Sequence, residues 1–300
     1  MPATKLAPSL VVTPDLTLPL AKPFVKWVGG KSQLLGQFED LFPQDFNNYI
    51  EPMVGGGAVF FHLLNTKNIE DRAILLDVNP ELMGCYQIIK EDVENLILEL
   101  VKLSKQYSQS PKEFFYQVRE WDRQKDFEQR PATQRAARTV FLNKTCYNGL
   151  YRVNNGGTFN TPFGRYKNPN ICDEENLRAA NSALQSVQLL TSDFGAVTEL
   201  ASARDFIYFD PPYHPLSETA KFTSYTKNGF KKKDQVRLRD TFANLAKKGC
   251  QVMLSNSDTK FIRDLYNDFH VHTVDAKRYI NSNPNHRGEI TEVVVTNYLR

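Results

Sequence analysis

The sequence predicts an α/β protein, a doubly wound sheet with a mostly helical insertion. Two short apolar runs that stop on a carboxylate, Ala73-Ile-Leu-Leu-Asp77 and Phe206-Ile-Tyr-Phe-Asp210, read as strands buried on both faces. From Glu81 to about Leu142, where βαβ alternation would bring the next strand, apolar residues instead recur three and four apart, as in Leu96-Ile97-Leu100-Val101 and Phe114-Phe115-Val118-Trp121. The expected organisation is a poorly ordered lead-in at residues 1–20, a first part of the α/β domain at 21–80, an inserted domain at 81–174 and the second part of the α/β domain at 175–300.

A chain of 300 residues buries about 75% of its unfolded surface, enough for one large core and a smaller subdomain. With 41% hydrophobic and 24% charged residues, the composition is that of an ordinary globular protein. No apolar run approaches the roughly 18 residues of a membrane span, and residues 1–20 lack the order of a signal peptide, so a cytoplasmic setting is expected. Cys85, Cys146, Cys172 and Cys250 are scattered, without a CxxC pair or clustered histidines, which predicts neither a metal site nor disulfides. A net charge of +3 announces no partner by itself; its distribution matters.

In chain order, Phe24-Val-Lys26-Trp27-Val28-Gly29-Gly30-Lys31 reads as an extended segment and a Gly-Gly turn. An apolar stripe at Leu34, Leu35, Phe38, Leu41 and Phe42 predicts a helix after it. Free N–H groups at that helix start, with Lys31 beside them, would hold a carboxylate. Tyr49-Ile-Glu51-Pro52-Met-Val-Gly55-Gly56-Gly57 is a strand and a glycine loop that lets a ligand approach the backbone. It is not GxGxxG. Asp77, twenty positions after Gly57, suits ribose hydroxyls in an adenosyl cofactor or a dinucleotide, and the missing phosphate pattern favours the former.

Between Gln129 and Cys172 the chain has no acid, while Arg130, Arg135, Arg138, Lys144, Arg152, Arg165 and Lys167 alternate with tyrosines, phenylalanines and asparagines. Cations for phosphates, rings for stacking and amides for base edges are the ingredients of nucleic-acid recognition. Val187–Phe194 reads as a returning strand whose Asp193 can accept from a purine amine while Phe194 packs on its ring. At Asp210-Pro211-Pro212-Tyr213 the prolines stiffen a loop at the carboxyl edge of the sheet. Its carboxylate, neighbouring carbonyls and tyrosine ring suit a planar, amine-bearing substrate. Beyond it, residues 224–230 and Lys231 to Lys233 form a polar, basic loop. A helix at 235–248, a strand at 251–256, a helix at 260–269 and an antiparallel pair at 270–276 and 292–299 close the chain, with a polar loop at 281–288 between the last two.

Asp210-Pro-Pro-Tyr213 resembles the catalytic tetrapeptide of amino-group DNA methyltransferases. From Pro23 to about Tyr298 the chain resembles the DNA adenine methyltransferase (Dam-like) family, with Tyr147-Asn148-Gly149-Leu150-Tyr151-Arg152 and Phe159-Asn160-Thr161-Pro162-Phe163-Gly164-Arg165-Tyr166 similar to its GATC-specific recognition hairpin. The resemblance implies a Rossmann-like methyltransferase sheet with a target-recognition domain, adenine-N6 methylation of double-stranded DNA, base flipping and S-adenosylmethionine as cofactor, without a metal. It further implies that Trp27, Lys31, Pro52, Gly55, Gly57, Asp77, Asp193, Phe194 and Asp210 bind the cofactor. Asp210, Pro211, Pro212 and Tyr213 would form the catalytic loop, the first two accepting hydrogen bonds from the N6 amine and Tyr213 stacking on the base. Leu150, Arg152, Pro162 and Arg165 would read bases, Tyr147 and Asn148 would surround the flipped adenine, and Lys26, Asn160 and Tyr166 would complete the DNA contact. A partner restriction endonuclease is compatible with this reading. Cytosine N4, RNA adenine, protein glutamine and a non-catalytic DNA-binding module on the same fold stay open.

Overall fold

The computed structural model describes residues 19–67, 69, 73–216, 229–277 and 289–299. Residues 1–18, 224–228 and 281–288, which hold most of the expected lead-in and the two polar loops, lie outside the described residues.

The first half of the chain contributes α1 (Leu35–Phe38), β1 (Tyr49–Glu51), α2 (Ala58–Lys67), β2 (Ala73–Asp77), α3 (Pro80–Gln109), α4 (Pro111–Arg119) and α5 (Ala132–Thr145). After a hairpin come α6 (Glu174–Leu184), β3 (Gln188–Thr191), α7 (Val197–Leu200) and β4 (Phe206–Phe209). The chain closes with α8 (Lys232–Lys247), β5 (Gln251–Ser257), α9 (Lys260–Leu265), β6 (His270–Lys277) and β7 (Glu289–Thr296). The strands form one seven-stranded sheet in the order β3-β2-β1-β4-β5-β7-β6. All neighbours pair parallel except β7, which runs antiparallel to both β5 and β6, so the expected closing pair is present.

The all-apolar run of β4 is explained by its central place, since none of its four side chains reaches solvent. Phe206 and Tyr208 enter the core layer shared with Phe38 and α2, whereas Ile207 and Phe209 enter the opposite layer with Leu238 and Phe242 of α8. Each such burial stabilises by about 1.5–3 kcal/mol before entropy is set against it. The strand order reverses between β1 and β4, which opens a crevice at their carboxyl ends.

Asn79 starts α3 by accepting from the N–H groups of Glu81 and Leu82 at 3.0 and 3.2 Å, a cap worth about 1 kcal/mol, with Pro80 in the first turn. A kink at Asp92 divides the helix. Before it, Lys90 donates to the Val187 carbonyl at 2.7 Å, as befits the crossover from β2 to β3. The helix also lies along α5.

The helix expected at the Gly-Gly turn does not form there. α1 has four residues and begins at Leu35, so no helix start follows the Gly-Gly turn directly. The turn is instead closed by the Gly30 N–H on the Trp27 carbonyl at 3.1 Å, with Gly29 at φ +84°. Lys31 turns back towards the sheet rather than lengthening a helix.

Candidate active site and nucleic-acid interface

Three adjacent strands present carboxylates at one edge. β1 ends on Glu51, β2 ends on Asp77, and β4 leads into Asp210. The Lys31 ammonium, 3% exposed, lies 2.6 Å from Asp210 Oδ1 and 2.8 Å from Oδ2, and also donates to the Gly29 carbonyl. A buried ammonium needs such a partner. Ser255 Oγ on β5 donates to Asp210 Oδ1 at 3.0 Å and shares a hydrogen bond with Tyr208 at 2.9 Å. Burial pushes the Asp210 carboxyl above its usual range, and Lys31 and then Ser255 oppose that rise. Lys31 therefore already engages the acceptor that Asp210 would offer a substrate.

Glu51 is a further acid of this edge not expected from the sequence, although Glu51-Pro52 repeats the acid-proline step of Asp210-Pro211. It is 2% exposed, accepts from the Tyr49 phenol at 2.7 Å and is raised by burial to about 8.

The loop after Asp210 is held by buried amides. Gln235 Nε2 donates to the Pro212 carbonyl at 3.0 Å, and Asn256 Nδ2 donates to Gln235 Oε1 at 3.0 Å. Asn256 Oδ1 accepts from the His214 N–H at 3.0 Å, while Ser257 Oγ donates to the His214 carbonyl at 2.6 Å. Pro211 is buried. Between these anchors Tyr213 donates its phenol to Glu292 Oε2 at 2.6 Å, and the Lys31 ammonium sits 4.7 Å from its ring centre.

Among the residues expected to bind a cofactor, Asp77 accepts from the Gly55 N–H at 3.1 Å and from the Asn79 N–H at 2.9 Å. Burial raises its pKa against those two bonds. Gly55 takes φ +49°, and a Cβ there would lie 2.7 Å from the Trp27 ring; Gly57 takes φ +73°, and its Cβ would meet the Tyr86 phenol at 2.6 Å. Pro52 is buried immediately after β1. Asp193 and Phe194 stand apart, beyond the end of β3 at the sheet margin. Asp193 pairs with Arg237 through both oxygens at 2.6 and 2.8 Å, which lowers its pKa, and the same guanidinium covers the Phe194 ring at 3.9 Å.

The recognition candidates Tyr147, Asn148, Leu150, Arg152, Asn160, Pro162, Arg165 and Tyr166 share one irregular hairpin, bridged at Cys146–Phe163 and Val153–Phe159. Its tip is a turn in which Asn154 Oδ1 accepts from the N–H groups of Gly156 and Thr158, both at 3.0 Å. Arg152 is exposed but oriented, donating from Nε to Asn160 Oδ1 at 2.7 Å and from Nη2 to the Asn160 carbonyl at 3.2 Å. Tyr147 is 54% exposed and Tyr166 38%. Asn148 and Arg165 both adopt φ +56°, strained for residues other than glycine by about 1–3 kcal/mol each. Lys26 is exposed beside the hairpin base.

The basic stretch does not form one surface. Arg138 is fully buried, donating to Asp122 Oδ2 at 2.7 Å and to the Arg119 carbonyl at 2.9 Å, so its charge belongs to the interior. Asp122 Oδ2 also accepts the Phe159 N–H at 2.7 Å, which ties the hairpin to this pair. Arg135 pairs with Glu128 at 2.8 Å, and Arg130 lies over Trp121 at 4.6 Å. These carboxylates come from the helical stretch upstream of Gln129.

Residues 27–280 match the family of D12 class N6 adenine-specific DNA methyltransferases. The chain is 46% identical to the Type II methyltransferase M.MjaIII of Methanocaldococcus jannaschii, over 92% of this chain and 99% of that one. It is 44% identical to the Type II methyltransferase M1.LlaDCHI of Lactococcus lactis subsp. cremoris, over 92% and 95%. A DNA adenine methylase of Haemophilus influenzae is 35% identical, over 91% and 92%.

Proposed function

The chain belongs to the D12 class of adenine-N6 DNA methyltransferases, which act with S-adenosylmethionine, and we propose that it modifies GATC on an adenine flipped out of the duplex. The observation that carries this reading is the Asp210 carboxylate, fixed by Lys31 and Ser255 at the switch point of the sheet, with the Tyr213 ring beside it. Inside a duplex the amine is paired and stacked, and extruding the base costs a few kcal/mol.

The donor set fits the cofactor. Asp77 at the end of β2 and Asp210 beyond β4, with the protonated Glu51 between them, suit a cationic, hydroxyl-bearing group and would repel the phosphates of a dinucleotide. When bound, S-adenosylmethionine supplies an electrophilic methyl on a sulfonium. Asp77 would hold ribose hydroxyls, with Trp27, Pro52, Gly55 and Gly57 shaping the adjoining wall; Asp193 and Phe194 would reach a purine once Arg237 shifts from them. Asp210 and the Pro211 carbonyl would accept hydrogen bonds from the amine and turn the nitrogen lone pair outward, while Tyr213, steadied by Glu292, stacks on the base. Such positioning reaches about 7–11 kcal/mol in well-oriented systems. The amine nitrogen would then take the methyl directly and in line, its bond to sulfur breaking as the bond to nitrogen forms, with S-adenosylhomocysteine left behind and one amine proton lost to water.

The hairpin supports GATC through its likeness to the recognition segment of Dam-like enzymes and through the oriented Arg152. Relatives named Type II methyltransferases favour pairing with a restriction endonuclease of the same site. No helix among the described residues is long and apolar enough to cross a membrane, in keeping with work on cytoplasmic DNA. The test is labelled methyl transfer to duplexes carrying GATC or one altered base pair, with the modified nucleoside identified by mass spectrometry. N6-methyladenine confined to GATC supports the proposal; equal labelling of all duplexes, or of a different sequence, overturns it.

A further inference from the structure

We propose that Asn143 is a positioning residue that locks the recognition hairpin to the Asp210 centre and thereby sustains discrimination between sites. The inference rests on the reading of the hairpin as the part that reads sequence.

Asn143 stands in the last turn of α5 and is 4% exposed. Its Oδ1 accepts the Lys26 N–H at 2.8 Å, and its Nδ2 donates to the Lys26 carbonyl at 2.8 Å and the Gly149 carbonyl at 3.0 Å. One amide thus grips both backbone groups of Lys26, 117 positions away in sequence, together with the hairpin base. Asparagine is the side chain this joint requires. An aspartate has no N–H to offer the two carbonyls, and a leucine of similar shape leaves all three backbone groups unmet.

Packing points the same way. Gly149 takes φ +65°, and a Cβ there would lie 2.9 Å from the Cβ and Cδ of Lys26, so the two segments touch where the amide joins them. On the next residue the Trp27 ring stacks on Tyr151 of the hairpin at 5.4 Å and 25°. The other neighbour of Trp27 is the glycine loop at Gly55. Four positions further, Lys31 reaches Asp210. Hairpin base, Lys26, Trp27, Lys31 and Asp210 therefore form one continuous mechanical path, and Asn143 fastens its entrance. Asn143 itself is buried away from the exposed base-reading candidates and acts through Lys26 and Gly149.

A residue that merely stabilised the fold would, when lost, lower activity on every duplex alike. A positioning residue would change the ratio between duplexes. The experiment compares wild type and Asn143→Ala by kcat and KM on the recognised duplex and on duplexes with one altered base pair, at fixed salt. It adds thermal melting and calorimetric binding of S-adenosylhomocysteine without DNA. The expected result is a fall of at least about tenfold both in kcat on the recognised duplex and in the discrimination ratio, the scale of a sub-ångström misplacement. Cofactor-product affinity should persist, because the glycine loop still holds Trp27. An Asn143→Ala protein that melts like wild type and keeps the wild-type ratio overturns the inference. Should that variant fail to fold, Gly149→Ala crowds the same joint without stranding a buried polar group, and its ratio decides by the same criterion. If the wild type itself prefers no sequence, the reading of the hairpin fails and takes this inference with it; a wild type that discriminates beside a variant that discriminates equally overturns the role of Asn143 alone.

Discussion

Lys31 Nζ lies between both carboxylate oxygens of Asp210, at 2.6 and 2.8 Å, joining the turn after Trp27 to the end of β4 across 179 positions. The ammonium is nearly sealed from water whereas the carboxylate keeps 20% of its side-chain surface exposed. Asp210 is thus the member of the pair that can still meet a ligand, and Lys31 sets how readily it ionises.

The first prediction concerns pH. Burial raises the Asp210 pKa from its usual 3.8, and Lys31 is the largest influence opposing that rise. Protonation removes the acceptor, so kcat at saturating cofactor should fall as pH drops through this raised value. In Lys31→Met the opposing charge is gone, and the acid limb should move to higher pH. A limb at the wild-type position in that variant would show that Asp210 does not control it.

Stability should carry a separate pH signature from Glu51, raised from 4.5 to about 8. Between those values the folded chain holds a proton that the unfolded chain has released, so stability falls as pH rises across the window. Glu51→Gln removes this dependence. Its Tm relative to wild type should therefore be higher at the alkaline end of the window than at the acid end. A difference in Tm that stays constant across the window would assign the proton elsewhere.

Asp77 accepts from Gly55 and Asn79 while keeping part of its surface open at the sheet edge. Asp77→Ala should weaken S-adenosylhomocysteine binding by about 1.5–3 kcal/mol, the worth of hydrogen bonds to a charged group. Calorimetric titration measures it. Unchanged affinity would reduce Asp77 to an organiser of the glycine loop.

Substitutions should separate base reading, proposed for the hairpin, from nonspecific charge at the start of α8. Arg152→Ala and Arg165→Ala should each cut discrimination between GATC and single-substitution duplexes by about 1–3 kcal/mol. Asn160→Ala, which removes the side-chain acceptor of Arg152 Nε and leaves the backbone one, should act in the same direction and less strongly. Replacing Lys231, Lys232 and Lys233, all exposed at the start of α8, should weaken binding to every duplex alike and flatten its salt dependence. Discrimination that survives both arginine substitutions would move recognition out of this hairpin.

The sheet was legible because its strands announce themselves locally: apolar runs that stop at an acid and proline, as at Asp210, or at an acid alone, as at Asp77. The helix predicted after Gly30 shrank to one turn because its apolar stripe reports burial of Leu34, Phe38 and Phe42, which turns satisfy as well as a helix does. Arg138 looked like part of a basic surface because its partner Asp122 sits upstream of the acid-free stretch. The pairing of Asp193 with Arg237, 44 positions apart, and the grip of Asn143 on Lys26 have no local signal at all. Composition identifies which groups a site contains, and only the tertiary fold decides which of them are already engaged.

The most direct test of the account is methyl transfer by Asp210→Asn to an adenine-containing GATC duplex, alongside wild type. An amide oxygen can still accept from Lys31, which keeps the buried ammonium partnered, but the NH2 that replaces the second carboxylate oxygen donates where the target amine needs an acceptor. The variant should melt like wild type and bind S-adenosylhomocysteine, yet form N6-methyladenine at least about 10²-fold more slowly, the scale of losing one preorganised transition-state contact. Formation of N6-methyladenine at the wild-type rate by that folded variant would contradict it.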